Sequence, residues 1–171
     1  EEKAEDATDD SRMEAGTEVG KLARELFGKP VDVTETVNGQ LNLPAMTDRT
    51  QVEIEHETSV ICEASFSYQG CYCAVDILKR ENDGWVYVAD VAYQKYVLEH
   101  CGVRITGTYI VSINNDYVYD GKLDLERLFQ ITDVSEFVRN EIGEVEKNLL
   151  QEDTLLESEN EPERELGLYC K

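Results

Sequence analysis

"EASFSYQGCYCAVDIL", residues 63–78, decides the fold class. Two runs of alternating residues flank Gln69-Gly70, and a two-residue loop with a glycine in second place marks a tight β-hairpin. With these two residues in the loop, Tyr68 pairs with Cys71 and every further pair keeps that register, which sets Glu63 directly opposite Asp76. Alternation then predicts one apolar face made of Cys62, Ala64, Phe66 and Tyr68 with Cys71, Cys73, Val75 and Ile77. The other face holds Glu63, Ser65 and Ser67 with Tyr72, Ala74 and Asp76, and therefore both charges. Two carboxylates ~5 Å apart repel by roughly 3 kcal/mol at an effective dielectric near 20. The sequence leaves four ways to offset this: a divalent cation, a nearby Lys or Arg, a proton shared by the pair, or water on an exposed face.

Upstream, Met13, Val19, Leu22, Ala23, Leu26 and Phe27 recur at helical spacing and stop at Gly28 with Pro30 behind, so a helix is expected over 11–27. Between Val31 and Glu57 the signals are weak: Asn38-Gly39 is a turn, and "TDRTQVEIEHE" suits a short helix or a strand. Downstream of the hairpin at 59–79, "RENDG" is a turn and "WVYVAD" a strand. A helix from Asp90 to Cys101 is stopped by Gly102, and "VRITGTYIVSIN" has the nearly continuous apolar second half of an internal strand in a covered sheet. "NNDYVYDGKLD" reads as a strand or hairpin with turns at Asn115-Asp116 and Asp120-Gly121, and "LDLERLFQ" as a short helix. Asp133, with Glu136 at capping-box distance, starts a last helix through "SEFVRNEIGEVEKNLLQEDTLL". This order predicts an α/β fold with a mixed central β-sheet flanked by helices. The domain is expected over 11–158, between an acidic tail at 1–10 and an acidic linker at 159–171.

A chain of 171 residues with 41% hydrophobic content is one domain able to bury a core without disulfides or a structural metal. No run is long enough to span a membrane and no signal-peptide pattern opens the chain, so a soluble, cytoplasmic protein without a membrane partner is expected. The first residue is Glu1 rather than Met, which suggests that something upstream is absent. The net charge of -21 argues against a simple nucleic-acid coat protein, since phosphate neutralisation needs clustered Lys and Arg. Six of the 37 acids lie in residues 1–10 and ten in 141–171, leaving 21 acids against 12 Lys and Arg in the body. A local basic groove on an acidic body remains compatible with a nuclease. Five cysteines, an odd count, point to reduced intracellular thiols: Cys62, Cys71 and Cys73 belong to the apolar face of the hairpin.

No phosphate loop, dinucleotide glycine fingerprint, Gly-x-Ser-x-Gly elbow or His-Glu-x-x-His helix is present. His56, in an acidic segment, and His100, at a helix end, read as structural. A Cys101–His100 nucleophile is disfavoured because adjacent helical residues point to different faces.

"ICEASFSYQGCYCAVDILKRENDGW" followed by "DVAYQKYVLEHCGVRITGTYIVSIN" resembles the PD-(D/E)XK nuclease superfamily in its RecB-like branch, which includes the CRISPR adaptation nucleases. The resemblance is strongest to a bacterial group in which such a domain precedes an exonuclease-like domain, and it runs from "GTEVGKLARELF" through Cys170. It implies a restriction-endonuclease-like sheet and metal-dependent, exonuclease-like hydrolysis of DNA or RNA phosphodiesters with Mg or Mn, DNA being the expected partner. It also implies a further nuclease domain C-terminal to this one. Asp76 in "AVDIL" matches the metal-binding Asp, Glu63 in "CEASF" an acid on the preceding strand, and Gln94 in "DVAYQKY" the Gln of the helix after the active-site strand. Both acids are then expected to hold the metal, which would relieve their repulsion. Many relatives carry an iron-sulfur cluster, and Cys170 matches the first of its trailing ligands. The other ligands fall outside residues 1–171, so an intact cluster is not expected in this chain.

Three features depart from the pattern. Gly20 stands where a metal-binding His is usual, four residues after Gly16, and Leu98 stands where a Tyr follows Gln94. The Glu-x-Lys strand is missing: "WVYVADVAYQ" has no Glu, and no Lys before Lys95. A strand this short is expected not to complete the sheet, which places missing residues at or near the Val86–Tyr87 junction. The alternative is a catalytically degenerate nuclease fold acting as a nucleic-acid or protein-binding module.

Overall fold

The computed structural model describes residues 16–88 and 92–156. A helix described at 16–25 (α1) leads to β1 (Val31–Asp32), the small hairpin β2 (Thr36–Val37) and β3 (Gln40–Leu41), and α2 (Leu43–Glu55). The long hairpin β4 (Val60–Tyr68) and β5 (Cys71–Glu81) follows, then β6 (Gly84–Val88), α3 (Ala92–His100) and β7 (Ile105–Ile113). The described part ends with α4 (Leu125–Leu128), β8 (Phe129–Asp133) and α5 (Ser135–Leu156). Six strands form one mixed sheet in the order β1-β4-β5-β6-β7-β8, parallel at β1/β4 and β6/β7 and antiparallel elsewhere. The protein is thus α/β, with a mixed central sheet flanked by helices. The tail 1–10 and the linker 159–171 lie outside the described residues.

The hairpin has the expected register, from Tyr68↔Cys71 to Val60↔Lys79, across a turn in which Gln69 and Gly70 both have positive φ. Its faces differ from expectation. Ala64, Phe66, Cys73 and Val75 pack with Ile61 and Leu78 in one cluster, whereas Cys62 and Ile77 pack with Val60 and Val88 in another. The single apolar face is therefore corrected: both strands change face at the Glu63/Asp76 step. There the pairing is interrupted while the register on either side is kept, and Glu63 has φ 56°. One left-handed residue rotates the strand about its axis, so alternation resumes out of phase.

The two clusters define the layers. Ile54 of α2 and Tyr93, Tyr96, Val97 and Leu98 of α3 pack on the first face, and Phe27, just beyond α1, packs on the second. The weakly signalled stretch resolves because Asn42 caps α2 through the Ala45 N–H, and α2 then runs through "TDRTQVEIE". Its buried Thr50 serves β4: beyond the two residues of β1 the edge of β4 is uncovered, and the Ser65 N–H donates to Thr50 Oγ1 at 2.8 Å.

No break separates Val86 from Tyr87 within β6, and residues 89–91, which the expected junction also covered, lie outside the described residues. β6 runs uninterrupted between β5 and β7, with Lys79↔Val86 and Leu78↔Tyr87 on one side and Val86↔Gly107 and Tyr87↔Thr108 on the other. Five residues suffice because β5 needs a strand partner only from Ile77 to Glu81. Past the end of β6, α3 takes over: the Tyr93 hydroxyl donates to Tyr72 O at 3.2 Å and Gln94 Nε2 to Ala74 O at 3.0 Å. Gly102 (φ 82°) closes α3 as expected, with the Val103 N–H returning to Leu98 O.

β7 is internal, but its second half is not covered: Ile110 and Ile113 are 37% and 46% exposed. "NNDYVYDGKLD" forms turns without a strand among the described residues, and β8, "FQITD", was not expected. Asp133 Oδ1 accepts from the Ser135 N–H at 2.8 Å and starts α5 as its position suggested.

Candidate functional site

At the face-switching step one guanidinium bridges two carboxylates, and the charge of a third acts on one of them. Arg24 of α1 donates through Nη1 to Asp32 Oδ2 of β1 at 2.9 Å and through Nη2 to Glu63 Oε1 of β4. Asp32 is held from its other side by the Thr34 N–H at 2.8 Å. Asp76 of β5 is exposed and faces Glu63 across the ladder. Of the four ways to offset the acid pair, the second is present at Glu63, whose neighbour is an arginine.

The electrostatics follow from burial and these neighbours. Burial pushes the Glu63 carboxyl above its usual range, the Asp76 and Asp32 charges push the same way, and Arg24 only partly opposes them. Asp32 feels burial as well, but the Thr34 hydrogen bonds and Arg24 hold it below its ordinary value. Cys62, enclosed behind the cluster, has its thiol pushed up to about 11, chiefly by burial.

The strand hairpin brings Glu63 and Asp76 together, as the register required. Gln94 is engaged with the sheet. Its Nε2 holds the open edge of β5, and its Oε1 is buried with no hydrogen-bond partner among the described residues. Neither lysine nearest Asp76 in sequence is uncommitted: Lys79 pairs with Glu81 at 2.6 Å and Lys95 with Glu99. β6, where the acid and lysine of the motif belong, presents only buried Gly84, Trp85, Val86, Tyr87 and Val88. No group of three His, Cys, Asp or Glu side chains suited to a metal ion occurs among the described residues. The donor set thus does not fit the divalent ion that the resemblance implies, because a guanidinium already engages Glu63, one of its two expected carboxylates.

Cys170 lies outside the described residues. The other four cysteines are free thiols. His100 stacks with Tyr96 and Tyr68 at 4.1 and 4.7 Å between ring centroids, and His56 caps α2, both in structural surroundings.

Sequence reasoning missed Arg24. Its signal was present: Arg24 lies three residues before Phe27 and four after Gly20, hence on the stripe of α1 that meets the sheet. A single cation on an apolar stripe calls for an anion beneath it. The cleft at the end of α1, of about 540 Å³, is lined by Glu25, Asp120, Asp124 and Glu126 against only Lys122 and Arg127. That balance repels a phosphate chain. No family model, curated protein or solved structure matches the chain, so the site rests on its own geometry.

Proposed function

We propose that this domain is a non-cleaving member of the nuclease-like fold it resembles and acts as a protein-binding platform. The observation that carries this reading is Arg24 bridging Asp32 and Glu63, where catalysis needs a divalent cation. The motif-free β6 supports it. A net charge of -21 and the acid-lined cleft favour a basic protein surface over nucleic acid as the partner. The free thiols suit a reducing, cytoplasmic compartment.

Metal-dependent cleavage of DNA or RNA is the second reading, favoured by the Asp76 and Asp32 charges that act on the Glu63 carboxyl. In that reading Asp76 and Glu63 would hold Mg or Mn, and the ion would supply Lewis-acid chemistry there. Gln94 then orients the site, a C-terminal nuclease domain follows, and Cys170 contributes to an iron-sulfur cluster. The test is cleavage of linear and single-stranded DNA and of RNA by the full chain with Mg or Mn, with and without chelator, beside Asp76→Asn. The expected result is no cleavage above that of the variant. Metal-dependent cleavage that Asp76→Asn abolishes would replace the first reading by the second.

A further inference from the structure

α1 is tied to the sheet at two points. Phe27 packs on the second face against the cluster of Val60, Cys62, Ile77 and Val88, and Arg24 bonds Asp32 and Glu63. An amphipathic helix draws most of its stability from docking its apolar face, and α1 docks at these two points. The Glu63 backbone is held in the left-handed region, unusual for a residue without a short hydrogen-bonding side chain. This conformation is part of the step at which β4 changes face, beside the point where Arg24 reaches in. Cys62, with no exposed surface, is next to Glu63 in the chain and under the same contact.

We propose that α1 is a latched cover over the second face of the sheet, closed over Cys62 by the grip of Asp32 and Glu63 on Arg24. Breaking the latch lets α1 lift while the first face, with α2 and α3, stays packed. The inference rests on the reading that Arg24, rather than a divalent ion, neutralises the cluster.

The molecule contains its own control. Cys73 is buried in the first-face cluster, and Cys101 is exposed. Local opening of α1 therefore exposes Cys62 alone, whereas global unfolding exposes Cys62 and Cys73 together. The experiment is labelling of the native full chain with N-ethylmaleimide at neutral pH, with peptide fragmentation resolving Cys62 from Cys71 and Cys73. Arg24→Gln should raise the Cys62 rate about tenfold or more, as expected for losing a charge-assisted hydrogen bond, and leave Cys73 and Cys101 unchanged. Glu63→Gln, which keeps the side-chain shape, should act in the same direction. A Cys62 rate that stays constant in both variants, or rises only in step with Cys73, overturns the latch. Added Mg should not change wild-type labelling. A selective rise in Cys62 labelling with Mg would uphold the latch but show that a cation can displace Arg24, against the reading of a permanently neutralised cluster. Nuclease activity bears on that reading and leaves the labelling result untouched.

Discussion

Arg24→Met should destabilise the protein at neutral pH and do so less as the pH falls. Arg24 and Glu63 are each 27% exposed in their side chains, so the pair lies between an exposed ion pair, worth under about 1 kcal/mol, and a buried one, whose breakage costs ~3–5 kcal/mol. About 2 kcal/mol is a fair value for this contact. Asp32 is 48% exposed and adds only a few tenths of a kcal/mol after solvent screening, roughly the lower end for surface pairs. For a chain of this length, 2 kcal/mol corresponds to a fall in melting temperature of about 4–8 °C. Methionine keeps much of the aliphatic stem, so the change reports mainly the lost charge and its hydrogen bonds.

The pH dependence follows from the two opposite shifts. The folded state raises Glu63 above its ordinary value of 4.5, so the folded protein holds this proton more tightly than the unfolded chain does. Its contribution is fully present below 4.5 and is lost as pH rises through the raised value. Removing Arg24 removes the main influence that lowers this carboxyl, which widens that window in the variant. Asp32 acts the other way: its contribution is present above its ordinary 3.8 and is lost as pH falls through its depressed value. Thermal melts of wild type and variant between pH 4 and 8 should therefore converge on acidification, as Glu63 becomes neutral and no longer needs a counter-ion. Equal melting temperatures at pH 7, or a gap that widens toward pH 4, would refute the reasoning.

Thr50→Val should cost about 1–3 kcal/mol in chemical denaturation, because the buried Ser65 N–H loses its acceptor on the open edge of β4. A loss below half of the lower figure would mean that another acceptor replaces it. Gln94→Leu removes the donor to Ala74 O together with the buried Oε1, which has no partner among the described residues, two effects of opposite sign, so the net cost should stay within about 1.5 kcal/mol. A loss of several kcal/mol in the same measurement would show that Oε1 has a partner after all. Gly84→Ala should destabilise by roughly 1–3 kcal/mol, since its Cβ would sit 2.5 Å from Thr106 Cγ2 and 2.9 Å from the Arg104 carbonyl oxygen. A melt unchanged from wild type would show that β7 yields there without cost.

Local chemistry made much of this molecule legible from its sequence. Gln69-Gly70 determined the turn and hence the register that sets Glu63 against Asp76, because a two-residue loop allows one pairing. Gly102 and Asp133 determined where α3 ends and where α5 begins, since caps act within one turn of helix. The order of strands and helices determined the α/β class. The face switch at Glu63 was not legible, because alternation assumes extended backbone throughout and the left-handed residue violates that assumption at one position. β8 was obscured because four of its five residues are exposed and an exposed edge strand has little apolar pattern to show. The sufficiency of a five-residue β6 depended on α3 supplying Tyr93 and Gln94 to the rest of the β5 edge. Arg24, Asp32 and Glu63 come from three separate elements. The counter-ion of Glu63 was therefore decided only by tertiary structure: the sequence could place the two charges in register, but Arg24 arrives from a helix about forty residues earlier, through packing that no local rule encodes.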